Sequence, residues 1–244
     1  MISILIHALG GDGKAYKRER AKAARQIVSE VYSAPRVTAT ARRLPKYGLG
    51  PGVALDLTSM DEAEKLLNAQ RPELLIGSPM CTPFSNLQNL NNAKRDPEVV
   101  AREQAAGRRH LAWCCHLYQR QMARGGYFLH EHPAFATSWK EPCVLKLMAM
   151  RGVARVRADQ CQLGQRDELD NPVKKPTGFM SNSPIMLEFL DRRCFGRNGL
   201  CSRPQGGTHR HCIGKTAQRA AVFQEELCLT IPKGLKRQLR EDNE

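Results

Sequence analysis

With 244 residues, 41% of them hydrophobic and 25% charged, the chain has the composition of a globular protein long enough to bury a sizeable core, which excludes a disordered tail or a miniature scaffold. Thirty-eight Lys and Arg against 24 Asp and Glu leave a formal charge of +14, a balance that favours a polyanionic partner, nucleic acid foremost. No apolar run approaches a membrane span, and Ile2 to Leu9 lacks the charged start and cleavage site of a secretory signal. With nine cysteines, an odd number, this points to a reducing cytoplasmic or nuclear compartment, where thiols act as nucleophiles or metal ligands rather than disulfides.

Ile2 to Leu9 predicts a short strand, Gly10-Gly-Asp-Gly13 a turn, and Lys14 to Ile27 a basic surface helix suited to tracking a nucleic-acid backbone. Residues 1–29 are therefore expected as a basic N-terminal extension and residues 30–164 as a catalytic α/β unit. Within that unit Glu30 to Ser33 predicts a strand, Arg36 to Leu44 a helix and Val53 to Leu57 another strand. Thr58 or Ser59 is placed to cap a helix over Met60 to Gln70, with Asp61 and Glu62 favourable in its first turn. Asp56, at a strand's carboxyl end, can accept hydrogen bonds from a ribose, or it can cap the following turn. Alternating strands and helices of this kind argue for a parallel sheet covered on both faces.

Leu74-Leu75-Ile76 predicts a buried strand that stops at Gly77, after which Pro79 and Pro83 hold Cys81 in a non-helical loop. Ligands bind at the carboxyl ends of strands in open α/β sheets, so Cys81 is a candidate nucleophile, although free cysteine also serves commonly as core filler. Pro97 to Ala123 predicts a long helix ended by Gly125-Gly126, and Tyr127 to Pro133 a further strand. That strand carries Glu131 between His130 and His132. Strands disfavour glutamate, so Glu131 is a second chemical candidate; the other reading is a buried carboxylate paired with an arginine or a neighbouring histidine.

Gly77-Ser-Pro-Met-Cys-Thr-Pro-Phe-Ser85 and Phe128-Leu-His-Glu-His-Pro133, in that order, resemble two blocks of the cytosine 5-methyltransferase family. The first is similar to the nucleophile loop Gly-x-Pro-Pro-Cys-x-x-Phe-Ser, with Met80 for the second proline. The second is similar to a strand ending Glu-Asn-Val or Glu-Asn-Pro, with His132 for the asparagine. The resemblance implies a doubly wound, mostly parallel sheet of the S-adenosylmethionine-dependent methyltransferase type with a small basic insert. It implies that Cys81 adds to carbon-6 of cytosine while Glu131 engages ring nitrogen 3, and that a methyl group passes to carbon-5. The substrate it implies is double-stranded DNA with the target base flipped out, RNA being the less favoured partner.

By the same resemblance Tyr32, Ser33, Pro35 and Asp56 border the cofactor, and Ser85, Lys174 and Lys175 contact the substrate, with Lys175 where the family uses arginine. The helical stretch Lys215 to Ile231 looks like the one that returns near the cofactor, so residues 215–244 are assigned to the catalytic unit. One block departs from the family: Phe-x-Gly-x-Gly-Gly is replaced by Tyr32-Ser-Ala-Pro-Arg-Val37, which contains no glycine. Two other readings therefore stand beside methyl transfer. One keeps the thiolate chemistry with a different donor; the other is a catalytically silent nucleic-acid-binding protein.

Cys194, Cys201, His209 and Cys212 supply the ligand types of tetrahedral zinc. Six residues separate the first two cysteines, which is not a finger spacing, and the competing reading is core thiols with exposed histidines. Residues 165–214 are expected as a small basic target-recognition insert stapled by that zinc.

Overall fold

The computed structural model describes residues 26–33, 35–43, 48–55, 60–204 and 206–244. The expected strand, turn and most of the basic helix before residue 26, together with Asp56, Thr58 and Ser59, lie outside the described residues. Among the described residues six strands form one mixed sheet in the order β2-β1-β3-β4-β6-β5. They are β1 Gln26–Val31, β2 Leu49–Leu55, β3 Leu74–Gly77, β4 Tyr127–Pro133, β5 Ala154–Asp159 and β6 Pro176–Ser181. The first four are parallel to one another, and β6 runs antiparallel between β4 and β5.

Parallel neighbours require long crossovers, here helical. α1 Val37–Arg43 joins β1 to β2, α2 Met60–Gln70 joins β2 to β3, and α3 Asn86–Asn92 with α4 Pro97–Ala123 joins β3 to β4. α5 Pro142–Met148, α6 Pro184–Leu190, α7 Gly214–Arg219 and α8 Glu225–Glu241 complete the layers. The longest helix is bounded by local chemistry: the Asp96 carboxylate accepts from the Glu98 amide at 2.9 Å, Pro97 takes the first turn, and Gly125 follows the end at φ 80°.

The continuous apolar run of β3 follows from burial on both faces. Leu74 and Ile76 join Val28, Leu129 and Phe179 against Leu187 of α6 and Leu235 of α8. Leu75 faces the other way, with Phe128 and Met180 against Tyr118 of α4 and Val144 of α5. No helix among the described residues is long and apolar enough to cross a membrane.

Three expectations about organisation change. β1 begins at Gln26, so the boundary at residue 29 falls inside a sheet strand. Residues 165–214 are not a separate insert: β6 is an inner strand and α6 packs on α8, because their buried apolar side chains belong to the main core. Between α6 and α7 the described residues form no strand or helix of the layers. The helix expected over Lys215 to Ile231 is two, since α7 buries no side chain while Phe223, between α7 and α8, is drawn into the core.

Candidate catalytic cleft and metal centre

Strand order reverses about β1, with β2 on one side and β3 on the other. Connections leaving the carboxyl ends there diverge and open a crevice. That crevice has a volume of about 360 Å3, and its walls include Tyr32, Ser33 and Arg36 after β1, Cys81 after β3, Glu131 on β4 and Lys175 ahead of β6. A second, largely apolar cavity of about 420 Å3 shares Cys81 and Lys175 and extends past Ser85, Phe135 and Cys212. Cys81 and Lys175 thus stand where the two spaces meet.

Cys81 precedes a 3-10 turn, Thr82–Phe84, whose Pro83 and Phe84 are buried while the cysteine itself is exposed. Loss of hydration within the cleft walls pushes its thiol above the ordinary value, the Glu131 charge adds to this, and Lys175 opposes it. The loop is tied to β4 by His132. Its Nε2 lies 3.1 Å from the Pro79 carbonyl and its Nδ1 2.6 Å from Ser138 Oγ. A carbonyl can only accept, so Nε2 carries the ring proton and Nδ1 accepts from the serine hydroxyl. His130 instead meets Tyr118 Oη at 3.1 Å. Burial holds both imidazoles below their ordinary value, further helped at His130 by the charge of His132 and opposed at His132 by Glu131.

Neither histidine therefore pairs with Glu131, whose side chain leaves β4 on the opposite face. Glu131 is 6% exposed, and its Oε1 lies 3.5 Å from Lys175 Nζ. That separation is an ion pair without a hydrogen bond, and Oε1 is buried with no hydrogen-bond partner among the described residues. The Lys175 ammonium also donates to the Ala220 carbonyl at 3.2 Å. A carboxyl group with unused capacity, a cation and a thiol therefore share one wall of the cleft.

The cofactor side was only partly readable. Glu30 is fully buried, and its Oε2 accepts from the amides of Arg36 at 3.0 Å and Thr38 at 2.8 Å and from Thr38 Oγ1 at 2.7 Å. Its Oε1 accepts from Ser33 Oγ at 3.2 Å. This carboxylate shapes the loop that lacks glycine, and Tyr32 takes the left-handed φ of 54° that glycine would adopt without strain. Tyr32 and Ser33 line the cleft. Pro35 does not: it borders a separate hollow with Arg43 and Cys228. Arg36 enters the cleft in its place, and Val37 is buried in the core. The signal available for Glu30 is a carboxylate inside a strand, between Ser29 and Val31.

Of the expected substrate contacts, Ser85 and Lys175 border the second cavity. Lys174 turns away and donates to the Cys194 carbonyl at 3.4 Å, because consecutive residues of an extended segment point to opposite sides.

A second cluster lies beyond β5. The ligand atoms of Cys161, Cys194, Cys201 and His209 lie within 4.8 Å of one another, a group able to hold a metal ion. Three of these were expected. Cys212 is not a member: after His209 the backbone pairs with Pro172 and Val173, which carries Cys212 to the cavity beside Cys81. Cys161 enters from the 3-10 turn Gln160–Leu163 at the end of β5.

Fold and site together define an α/β protein with a mostly parallel mixed sheet, a thiol and carboxyl pair at the switch-point cleft, and a Cys3His group. No family model matches the chain, and no curated protein matches it.

Proposed function

We propose that this chain is a DNA cytosine-5 methyltransferase of the doubly wound, S-adenosylmethionine-dependent type. The observation that carries the reading is the convergence of Cys81, Glu131 and Lys175, from three separate elements, on one cleft at the switch point. The Cys81 thiol releases its proton and the thiolate so formed donates its electron pair to carbon-6 of a flipped cytosine, while ring nitrogen 3 takes up a proton by way of the Glu131 carboxyl. The electron pair so released makes carbon-5 nucleophilic. After methyl transfer, which would leave S-adenosylhomocysteine, a base removes the carbon-5 proton, the sulfur–carbon bond breaks to give back the thiolate, and ring nitrogen 3 returns its proton, restoring the aromatic ring. Lys175, beside both groups, holds the carboxyl in place and favours the thiolate.

The cleft residues fit the cofactor. A volume of about 360 Å3 lies within the roughly 300–1,000 Å3 of small-molecule sites. Ser78 lines the cleft, and its Oγ is buried without a hydrogen-bond partner among the described residues. Tyr32, Ser33 and Arg36 would hold S-adenosylmethionine, the Arg36 guanidinium offering a charge complementary to its carboxylate, and when bound it would supply an electrophilic methyl group. The second cavity is the entry for the base, with the aromatic Phe135, 62% exposed, at its edge and the Arg157 guanidinium 5.4 Å from that ring. Zinc is the ion this reading assigns to the Cys3His group.

DNA carrying 5-fluorocytosine, whose carbon-5 cannot lose a proton, tests the chemistry. With S-adenosylmethionine the wild type is expected to form an adduct stable to denaturant, and Cys81→Ser none. DNA binding with no adduct would favour a silent binder, and an adduct without transfer of a labelled methyl group would favour another donor.

A further inference from the structure

Four side chains from three separate segments meet beyond β5: Cys161 from the turn after that strand, Cys194 and Cys201 from a loop after α6, and His209 from the return towards Pro172. Cys194 Sγ lies 3.9 Å from Cys201 Sγ and 3.5 Å from His209 Nε2. Zinc–sulfur and zinc–nitrogen bonds of roughly 2.3 and 2.0–2.1 Å at tetrahedral angles separate their ligand atoms by about 3.5–3.8 Å. One ion therefore fits with small adjustments.

Polar donors surround the buried sulfurs. The three cysteines are 2%, 8% and 9% exposed, and all are free thiols. Donors point at their sulfurs: the Ser202 amide at 3.4 Å and hydroxyl at 3.5 Å to Cys194, and Gln162 Nε2 at 3.3 Å to Cys201 and 3.6 Å to Cys161. A neutral thiol is a weak acceptor, whereas a metal-bound thiolate gains from donors of this kind. The apolar cluster at this place consists of the three cysteines alone, so the segment over 191–213 has no core to hold it without a cross-link.

We propose that Cys161, Cys194, Cys201 and His209 bind one Zn2+ and that this ion positions the segment from Pro172 to Lys175, and with it the lysine of the cleft. Residues at or beside three ligands grip that segment. The Arg210 amide donates to the Pro172 carbonyl at 2.9 Å, the Cys194 carbonyl accepts from Lys174, and the Gln160 amide donates to the Lys175 carbonyl at 3.0 Å. The Cys194 amide is itself anchored on Asp159 Oδ2 at 2.9 Å, at the end of β5. Lys175 continues from there to Glu131. This inference stands whether or not Cys81 is a nucleophile.

Metal content of the full chain, produced with zinc supplied, tests the ligand set. About one equivalent is expected in wild type and in Cys212→Ser, and less than about half in Cys161→Ser. A metal-free wild type, or loss in Cys212→Ser with retention in Cys161→Ser, would overturn it. So would an intact mass two hydrogens light, which marks a disulfide.

If Cys161→Ser fails to fold, wild type stripped by a chelator and reloaded with Co2+ must show the visible absorption of tetrahedral cobalt thiolate; its absence overturns the site. Amide hydrogen exchange on the same stripped protein tests the positioning. Faster exchange at 172–175 is expected while β1 and β3 stay protected; unchanged exchange at 172–175 removes that role.

Discussion

Replacing Gly77 with alanine puts a methyl group into the space of the Tyr118 hydroxyl. An ideal Cβ at this position falls 1.9 Å from Tyr118 Oη and 2.9 Å from Cζ. The ring has nowhere to go. It is fully buried, stacked on Phe128 with centroids 4.7 Å apart, and bonded through its hydroxyl to His130 Nδ1 at 3.1 Å. Non-bonded heavy atoms settle at roughly 3.5–4.0 Å, so a displacement of more than about 1 Å is required in an interior packed to crystal density.

Overpacking costs about 1–3 kcal/mol, and separating the hydroxyl from the imidazole leaves a buried polar atom unpaired for about 1–3 kcal/mol more. A loss of about 2–6 kcal/mol is expected, read as a lower urea midpoint at unchanged slope. Because Gly77 ends β3 and pairs with His130, the displacement reaches the loop of Cys81, and the rate of adduct formation should fall with the stability. In a Tyr118→Phe background the closest contact disappears and the penalty should shrink by more than about 1 kcal/mol. A cost below about 0.5 kcal/mol, or an equal cost in both backgrounds, would refute the packing argument.

The buried neutral imidazoles of His130 and His132 bind protons less readily than in the unfolded chain, where the ordinary value is 6.5. Their contribution is complete above about pH 6.5 and is lost as pH falls below it, by up to about 1.36 kcal/mol per pH unit for each. Urea midpoints at pH 7.5 and 5.5 check this, and a profile that His132→Asn leaves equally steep would contradict the role of His132. The raised thiol of Cys81, set first by lost hydration and then by Glu131, requires adduct formation to accelerate steadily with pH up to about 9, the ordinary thiol range. A plateau near neutrality would show an already formed thiolate. Glu30→Ala removes the acceptor for two buried or half-buried amides and two hydroxyls. It should cost more than about 2 kcal/mol and weaken S-adenosylmethionine binding by calorimetry; unchanged melting would show that other groups shape the loop.

Elements bounded by local chemistry were readable residue by residue. The helices Met60–Gln70 and Pro97–Ala123 and the strand Tyr127–Pro133 have the bounds expected of them, because caps, prolines and glycines act over a few residues. Cys81 and Glu131 stood out for the same reason: one is fenced by prolines and the other is a carboxylate in a strand. The role of Glu30 is not legible in the sequence, because its partners Ser33, Arg36 and Thr38 come together only once the loop has folded around the acid.

By itself the sequence determined the alternation of strands and helices, the two-sided burial of β3 and the choice of Cys81 and Glu131 as candidate groups, all set by neighbours along the chain. Tertiary structure alone decided that β6 enters the sheet antiparallel, that Lys175 and not Lys174 reaches Glu131, and that Cys161 displaces Cys212 from the metal group. These depend on strand order and register between segments distant in sequence, where a shift of one residue turns a side chain to the opposite face.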